Sequence, residues 1–491
     1  MAVPYDVIVI GGGSGGLVVA SAAAQLKAKV LLVEKEHRIG GDCLWYGCVP
    51  SKSLIHVAHL AHQVRQAAQS GLVLNSGLNG SGIHIDYLKV YHHIKGAQDF
   101  IANHADSPDR FRKLGVELVF GSGRFVDRKT FEVNGTRYRA RSFVISTGSR
   151  PQIPDVKGLQ DVGFLTNEKI FDLTHRPESV AVVGGGPIGC ELGQALARLG
   201  VRVTLIGGSK PQILPKEDPE AARVVQQKLE AEGIAIINQD RAAQALLHEG
   251  KKHLLLKSGK RIAVDEIVVA SGRVPNVEEL NLDTAGVKYD REGVKVNSKL
   301  QTTNPRIFAC GDVIGGHQFT HVAGFEAVTV LKNAVLIPNF LGFLRSNVNY
   351  RVIPWATFTD PELARVGLTE AEAREQYGRD VAVLKHEFAE VDRGQAEAET
   401  EGFSKIICRQ NGQILGATIV GPSAGELLHE IVLAMNYKLP VSALTGIHVY
   451  PTLSEVNAKA ALQLSKQKYA KNQGLQNFLR GFFGWLRSLE S

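Results

Sequence analysis

A strand, a Gly-x-Gly-x-x-Gly turn, a helix and a second strand occur twice in this 491-residue chain, and that duplication leaves few folds open. In the first copy the apolar run Tyr5–Ile10 leads into Gly11-Gly12-Gly13-Ser14-Gly15-Gly16. An alanine-rich helical stretch follows, and a second apolar run, Lys29–Val33, ends in Glu34. Glycines at 11, 13 and 16, with Ser14 among them, let the backbone approach a pyrophosphate at the helix N-terminus, and the acid accepts from a ribose hydroxyl. The second copy has the strand Ser179–Val183, then Gly184, Gly186 and Gly189, a helix through Leu199 and a strand at Arg202–Ile206. The copies lie too far apart to form one mononucleotide-binding pair. The pattern predicts an α/β chain with two Rossmann-like domains, one dinucleotide in each.

Between the copies stands Gly40-Gly41-Asp42-Cys43-Leu44-Trp45-Tyr46-Gly47-Cys48-Val49-Pro50-Ser51-Lys52. Pro50 suits the first turn of a helix, so the segment predicts a helix starting near Val49 or Pro50. Cys48 then lies at the positive helix end, which favours a thiolate. A bend through Gly47 brings Cys43 within bonding distance, so the pair reads as a switchable disulfide. The alternative is two buried structural cysteines, the reading favoured for the scattered Cys190, Cys310 and Cys408.

With these residues in view, the chain resembles the flavoprotein pyridine nucleotide-disulfide oxidoreductases, among them dihydrolipoamide dehydrogenase, glutathione reductase and mercuric reductase. The resemblance covers residues 1 to about 465 in the family's order of motifs. Thr302–Asp312 is similar to the family's second flavin motif, whose Asp312 meets the ribityl chain. Ser146-Thr147-Gly148-Ser149 and Ala270-Ser271-Gly272-Arg273 resemble the paired turns joining the nucleotide domains, and Thr359–Gly367 looks like the start of the dimerisation domain. The resemblance implies FAD, a reduced nicotinamide and a homodimer. It makes Cys48 the charge-transfer cysteine and Cys43 the one that exchanges with substrate. It places Lys52 beside the flavin with Glu191 as its partner; the competing reading of Glu191 is a helix-surface carboxylate.

The implied domains are a flavin domain from 1–150 and 277–345, a nicotinamide domain at 151–276, an α+β interface domain at 346–465 and a tail at 466–491. Composition agrees: 44% hydrophobic and 21% charged residues suit a globular protein, and this length exceeds a single core. Dispersed basic residues at a net charge of +7 argue against nucleic acid. Five cysteines form no disulfide framework, and the first strand leaves no room for a leader, so the expected compartment is the cytoplasm.

Three features bear on specificity. The second copy's second strand runs into Gly207-Gly208-Ser209-Lys210 with no acid. Ser209 and Lys210 are candidates to hold a 2′-phosphate, which favours NADPH over NADH; the alternative for Lys210 is a solvated loop lysine. Near the C-terminus, where family members acting on small dithiols carry His-Pro and a following glutamate, this chain has His448-Val449-Tyr450-Pro451-Thr452-Leu453-Ser454-Glu455. A phenol with pKa near 10 is a poor base, so ordinary disulfide exchange is expected to be handicapped by roughly 10²–10⁴. Tyr450 is more like mercuric reductase, in which two thiolates, here Cys43 and Cys48, transiently bind Hg(II) directly. No separate structural metal is expected. The chain is expected to depart from that relative in lacking an N-terminal metal-capturing domain, and its sequence shows no cysteine after Cys408.

Mercuric-reductase-like metal reduction is therefore the leading expectation. A dihydrolipoamide dehydrogenase-like or other small-disulfide reductase comes next, then a diaphorase reducing quinones, and last a flavin-bearing interaction module.

Two segments lie outside these motifs. Leu72–Ile83 reads as a turn-rich surface loop. In the tail, residues 475, 478, 479, 482, 485 and 486 share one helical face with Phe483 beside it. That pattern allows packing on the dimer or the chain's own body, or peripheral contact with an anionic membrane.

Overall fold

The computed structural model describes residues 4–72 and 84–490; nearly all of the loop expected at Leu72–Ile83 lies outside the described residues. The chain separates into two compact units, one of residues 1–210 with 233–349, the other of 211–232 with 350–491.

The first unit is built on β1 (Tyr5–Ile10), α1 (Ser14–Gln25) and β2 (Val30–Glu34). β2 and the strand Thr136–Ile145 flank β1 in parallel, pairing Val9 with Leu32 and with Val144. β3 (Val116–Phe120) pairs parallel to β2 on its far side, and Ile307–Ala309 pairs parallel to Thr136–Ile145. Every residue of β2 is buried, as a parallel sheet covered on both faces requires. α1 turns Gly15, Gly16, Ala20, Ala23 and Ala24 inwards, small residues that let the helix lie close to the sheet.

The second copy repeats this plan. Parallel strands run in the order Ala235–Asn238, Arg202–Gly208, Ser179–Val183, Glu266–Val269, and the helix Pro187–Arg198 follows the glycine turn. The strand expected to stop at Ile206 continues to Gly208 because Asn238 pairs with it across the sheet.

The cysteine segment differs from the sequence expectation in detail. Cys43 sits on a short helix of its own, α2 (Gly41–Trp45), closed by Tyr46 N–H donating to the Asp42 carbonyl at 2.8 Å. α3 (Cys48–Gln66) begins at Cys48, with Gly47 as its cap, rather than near Val49 or Pro50. Gly47, at φ −121° and ψ −115°, breaks the chain between the two helices. Pro50 thus falls at the third helical position, still within the turn whose amides need no intrahelical partner.

The second unit is a five-stranded antiparallel sheet ordered Pro354–Thr357, Glu362–Gly367, Ile414–Gly421, Phe403–Arg409, Val381–Glu387. The helix Glu455–Lys471 contributes Val456, Ala460, Ala461 and Leu464 to its core beside Phe388, Ile406 and Ile419. The segment 211–232 belongs with this unit and is tied to it by charge. Lys405 Nζ lies 3.1 Å from Asp218 Oδ2 and 2.8 Å from Glu220 Oε2, while Trp355 Nε1 donates to Glu217 Oε1 at 2.9 Å. The tail forms a further helix, Gln473–Leu489, entered through Asn472, whose side chain accepts from Leu475 N–H at 2.9 Å.

Candidate active site

The two glycine turns share one geometry. A Cβ on Gly16 would stand 1.9 Å from the Gly11 carbonyl oxygen, and one on Gly189 would stand 1.9 Å from that of Gly184. Gly11 and Gly184 themselves have positive φ, +104° and +132°, and press against the carbonyls of Ser146 and Ala270. Gly13 and Gly186 cap their helices in extended conformation with no side-chain partner for the first amides. Each helix therefore presents unsatisfied N–H donors at its positive end, the environment a pyrophosphate requires.

Beside the first turn, the buried Glu34 accepts from Gly12 N–H at 2.6 Å and from Glu36 N–H at 2.9 Å. Burial raises its carboxyl pKa, and these two donors oppose the rise. A carboxylate fixed against an uncapped helix start fits the adenosine half of FAD.

Asp312, which the sequence resemblance places in a second flavin motif, accepts from Ser149 Oγ at 2.6 Å. Burial raises its pKa against that bond and the nearby Arg273. The turn residues interlock: Thr147 Oγ1 donates to the Asn276 carbonyl at 2.8 Å, the Gly148 carbonyl accepts from Asn276 N–H at 3.0 Å, and the Gly272 carbonyl accepts from Gln152 N–H at 2.8 Å. Arg273 donates to Ser149 Oγ at 2.7 Å and lies 3.1 Å from Asp42 Oδ1, reaching the helix that carries Cys43.

α2 is held from several sides. Trp45 Nε1 donates to the Ile39 carbonyl at 2.8 Å, and the buried Gln98 side chain donates to the carbonyls of Leu44 and Trp45 at 3.0 and 2.8 Å. Arg38 stacks over the Trp45 ring at 3.7 Å. Cys43 is half-buried and Cys48 exposed, both as thiols, whereas Cys190, Cys310 and Cys408 are buried.

Cys48 Sγ lies 3.2 Å from Thr320 Oγ1, at the first residue of the helix Thr320–Leu331. The Cys43 S–H bonded to Cys48 is the main cause of Cys48's lowered pKa; Thr320 and Lys52 add to it. Desolvation by the surrounding chain, felt although the residue keeps exposed surface, and Asp42 oppose it. Cys43 moves the opposite way, raised first by that same bond and then by burial, with Ser14 and Thr320 opposing. The pair is therefore polarised, with Cys48 shifted towards the thiolate and Cys43 away from it.

One turn into α3, Lys52 Nζ meets Glu191 Oε2 at 2.8 Å. Glu191 is buried on the helix of the second glycine turn, so it is not a surface carboxylate.

Ser209 and Lys210 are both exposed at the end of their strand. Arg241 Nη2 donates to Ser209 Oγ at 2.7 Å, placing a second cation there that sequence reasoning missed. The signal was a basic residue just after the neighbouring strand, invisible until Asn238 and Gly208 pair. The adjacent Asp240 carboxylate is engaged by Ser258.

In the second unit Tyr450 Oη donates to Asp392 Oδ2 at 2.7 Å, and that bond raises the phenol's pKa. His448 turns to a different acceptor, Glu430 Oε2 at 3.2 Å. Burial would lower its pKa, but the Gly446 carbonyl and Glu430 outweigh this and raise it. One oxygen of Glu455, Oε2, is buried with no hydrogen-bond partner among the described residues, and Glu455 adds to the rise in pKa of both His448 and Tyr450.

The chain belongs to the pyridine nucleotide-disulphide oxidoreductases. That family's profile matches residues 5–327, and the profile of its dimerisation domain matches residues 353–461. The chain is 34% identical over 469 residues to a mercuric reductase of Staphylococcus aureus, covering 94% of this chain and 83% of that protein. It is 37% identical over 478 residues to a dihydrolipoyl dehydrogenase of Thermus scotoductus, covering 94% and 98%. Among solved structures, the HOCl-induced flavoprotein disulfide reductase RclA from Escherichia coli superposes with a TM-score of 0.80 at 26% identity, covering 93% of this chain and 99% of that one. The Cu(II) complex of RclA matches equally, with a TM-score of 0.80 at 26% identity over 94% of this chain and 99% of that one. The family uses FAD and NAD(P)H.

Proposed function

We propose that this chain is an NADPH-dependent flavoprotein that passes two electrons through Cys43 and Cys48 to a thiophilic metal ion, with Hg(II) as the leading substrate. It works as a homodimer in a reducing cytoplasm. The observation that carries the metal reading is Tyr450. Its proton is committed to Asp392, and its pKa lies above that of an ordinary phenol. Exchange with a disulfide needs a base to take and return a thiol proton. A soft metal held by two thiolates does not. The names of several relatives support this reading, as does a structural neighbour solved as a Cu(II) complex.

In this reading Gly11, Gly13, Ser14, Gly16, Glu34, Thr147, Gly148 and Asp312 hold FAD. Gly184, Gly186, Gly189, Ser209, Lys210, Gly272 and Arg273 serve the nicotinamide side. When bound, FAD would supply the hydride acceptor for the reduced nicotinamide and the source of two electrons for the sulfur couple. Cys48 keeps its negative charge with the help of the Cys43 thiol, Thr320 and Lys52. Glu191 holds the Lys52 side chain by their 2.8 Å ion pair, which fixes the cation where electron density accumulates. Cys43 loses its proton as it takes up the metal. The balance is NADPH plus Hg(II) giving NADP⁺, a proton and Hg(0).

A second reading, a small-disulfide reductase, is favoured by His448, whose raised pKa and bond to Glu430 suit an acid–base group in the same segment. NADPH oxidation measured in parallel with Hg(II) in excess thiol, lipoamide and glutathione disulfide separates the two. Turnover of lipoamide far above that of Hg(II) would reject the metal reading. Loss of all acceptor reduction in Cys43→Ser and Cys48→Ser is expected under both.

A further inference from the structure

The interior of the second unit ends at Leu464, the last buried residue of the helix Glu455–Lys471. The following helix, Gln473–Leu489, buries none of its residues. Yet it is rich in large apolar side chains. Phe478 is 66% exposed, Phe483 51%, Trp485 56% and Leu489 63%, with Leu475, Phe482 and Leu486 also exposed.

At 100° per residue, Leu475, Phe478, Leu479, Phe482, Phe483, Trp485, Leu486 and Leu489 fill an arc of about 160°. That arc is wider than the narrow seam by which two helices pair. The remaining arc carries Gln476, Asn477, Arg480, Gly481, Gly484, Arg487 and Ser488.

Charge indicates what covers the apolar face. Lys466, Lys468 and Lys471 precede the helix, Arg480 and Arg487 lie one above the other on its polar side, and Glu490 is the single acid from residue 465 onward. Arginine and lysine stems reach along apolar surface while their heads stay in water, and aromatic rings with a polar edge favour the headgroup level. Among the described residues no helix is long and apolar enough to cross a membrane. An amphipathic basic helix with this composition lies in the plane of the interface.

We propose that Gln473–Leu489 docks this protein on an anionic phospholipid surface. Phe478, Phe482, Trp485 and Leu489 enter the acyl boundary, and Arg480 and Arg487 meet the phosphates. The other occupant to be excluded is a second copy of the chain.

The test is flotation of the full-length holoenzyme with phosphatidylcholine vesicles, with and without phosphatidylglycerol. The protein should float with the anionic vesicles and less with neutral ones, and added salt should weaken binding. Phe478→Ser/Phe482→Ser/Trp485→Ser should lower the bound fraction at least about tenfold with NADPH oxidation unchanged. Arg480→Gln/Arg487→Gln should reduce only the preference for anionic vesicles. Absence of flotation by the unaltered protein, or flotation that survives the triple substitution, overturns the proposal. If the triple substitution instead halves the oligomer mass in sedimentation while the unaltered protein stays off vesicles, the face belongs to a second copy.

Discussion

Lys52 Nζ and Glu191 Oε2 stand 2.8 Å apart although 139 residues separate them, joining the helix of the cysteine couple to the helix of the second nucleotide turn. The ammonium is partly open to solvent and the carboxylate nearly closed off. Breaking the pair from the Lys52 side leaves an uncompensated buried charge, so the two substitutions differ. Glu191→Gln should slow flavin reduction by NADPH about 10²-fold in stopped-flow with the fold intact. Lys52→Met should also lower the melting temperature. Equal, small effects from both would remove the pair from the electron path.

Cys48 is held below the usual thiol range chiefly by the Cys43 S–H, with Thr320 second among the favourable partners. Alkylation by iodoacetamide, followed against pH on the reduced protein, should give Cys48 a midpoint below the free-thiol value of about 8.5. Cys43→Ala should raise that midpoint more than Thr320→Val does. The sign for stability follows from linkage. A depressed thiol stabilises the fold fully above its unfolded pKa, and the contribution is lost as pH falls through the folded one.

Arg241 bonds Ser209, the residue next to Lys210, so the proposed preference for NADPH should depend on both cations. Arg241→Ala and Lys210→Ala are each expected to lower kcat/KM for NADPH about tenfold, with NADH changed far less. An unaltered ratio of the two specificity constants would release these residues from a 2′-phosphate role.

Tyr450→His restores a titratable base before Pro451. It should raise lipoamide turnover by roughly 10²-fold at neutral pH. Tyr450→Phe, which only removes the bond to Asp392, should leave Hg(II) reduction within about threefold. Both are read from NADPH oxidation, and a large loss of Hg(II) reduction in the phenylalanine variant would make the phenol part of the chemistry.

Lys405 is buried against Asp218, with Glu220 2.8 Å away. Lys405→Ala leaves a buried carboxylate unpaired and should cost about 3–5 kcal/mol, seen as an early unfolding transition in calorimetry. Lys405→Ala/Asp218→Ala together should cost less than the two singles summed.

Local chemistry made much of this legible in the residues alone. Gly16 and Gly189 face contacts that no side chain tolerates, so the turns are written as glycine whatever surrounds them. Periodicity likewise marks the helix Gln473–Leu489. What escaped depends on distant pairing. α2 has only five residues, too few for a period to show, and its position rests on Gln98 and Arg273. The grouping of 211–232 with the second unit joins it to Lys405 and Arg365 by ion pairs, which sequence spacing cannot connect. Tyr450 is an unusual residue before Pro451 in the sequence itself, but its acceptor lies 58 positions away.

The boundary at Leu464 has a practical consequence. Under the docking proposed for the tail, catalyst and address are separable: a single proteolytic cut in the basic stretch beyond Leu464 would discard the aromatic segment and leave every redox group in place. The same polypeptide would then have two lives, one resident at a surface and one freely diffusing, set by cleavage rather than by any change in chemistry.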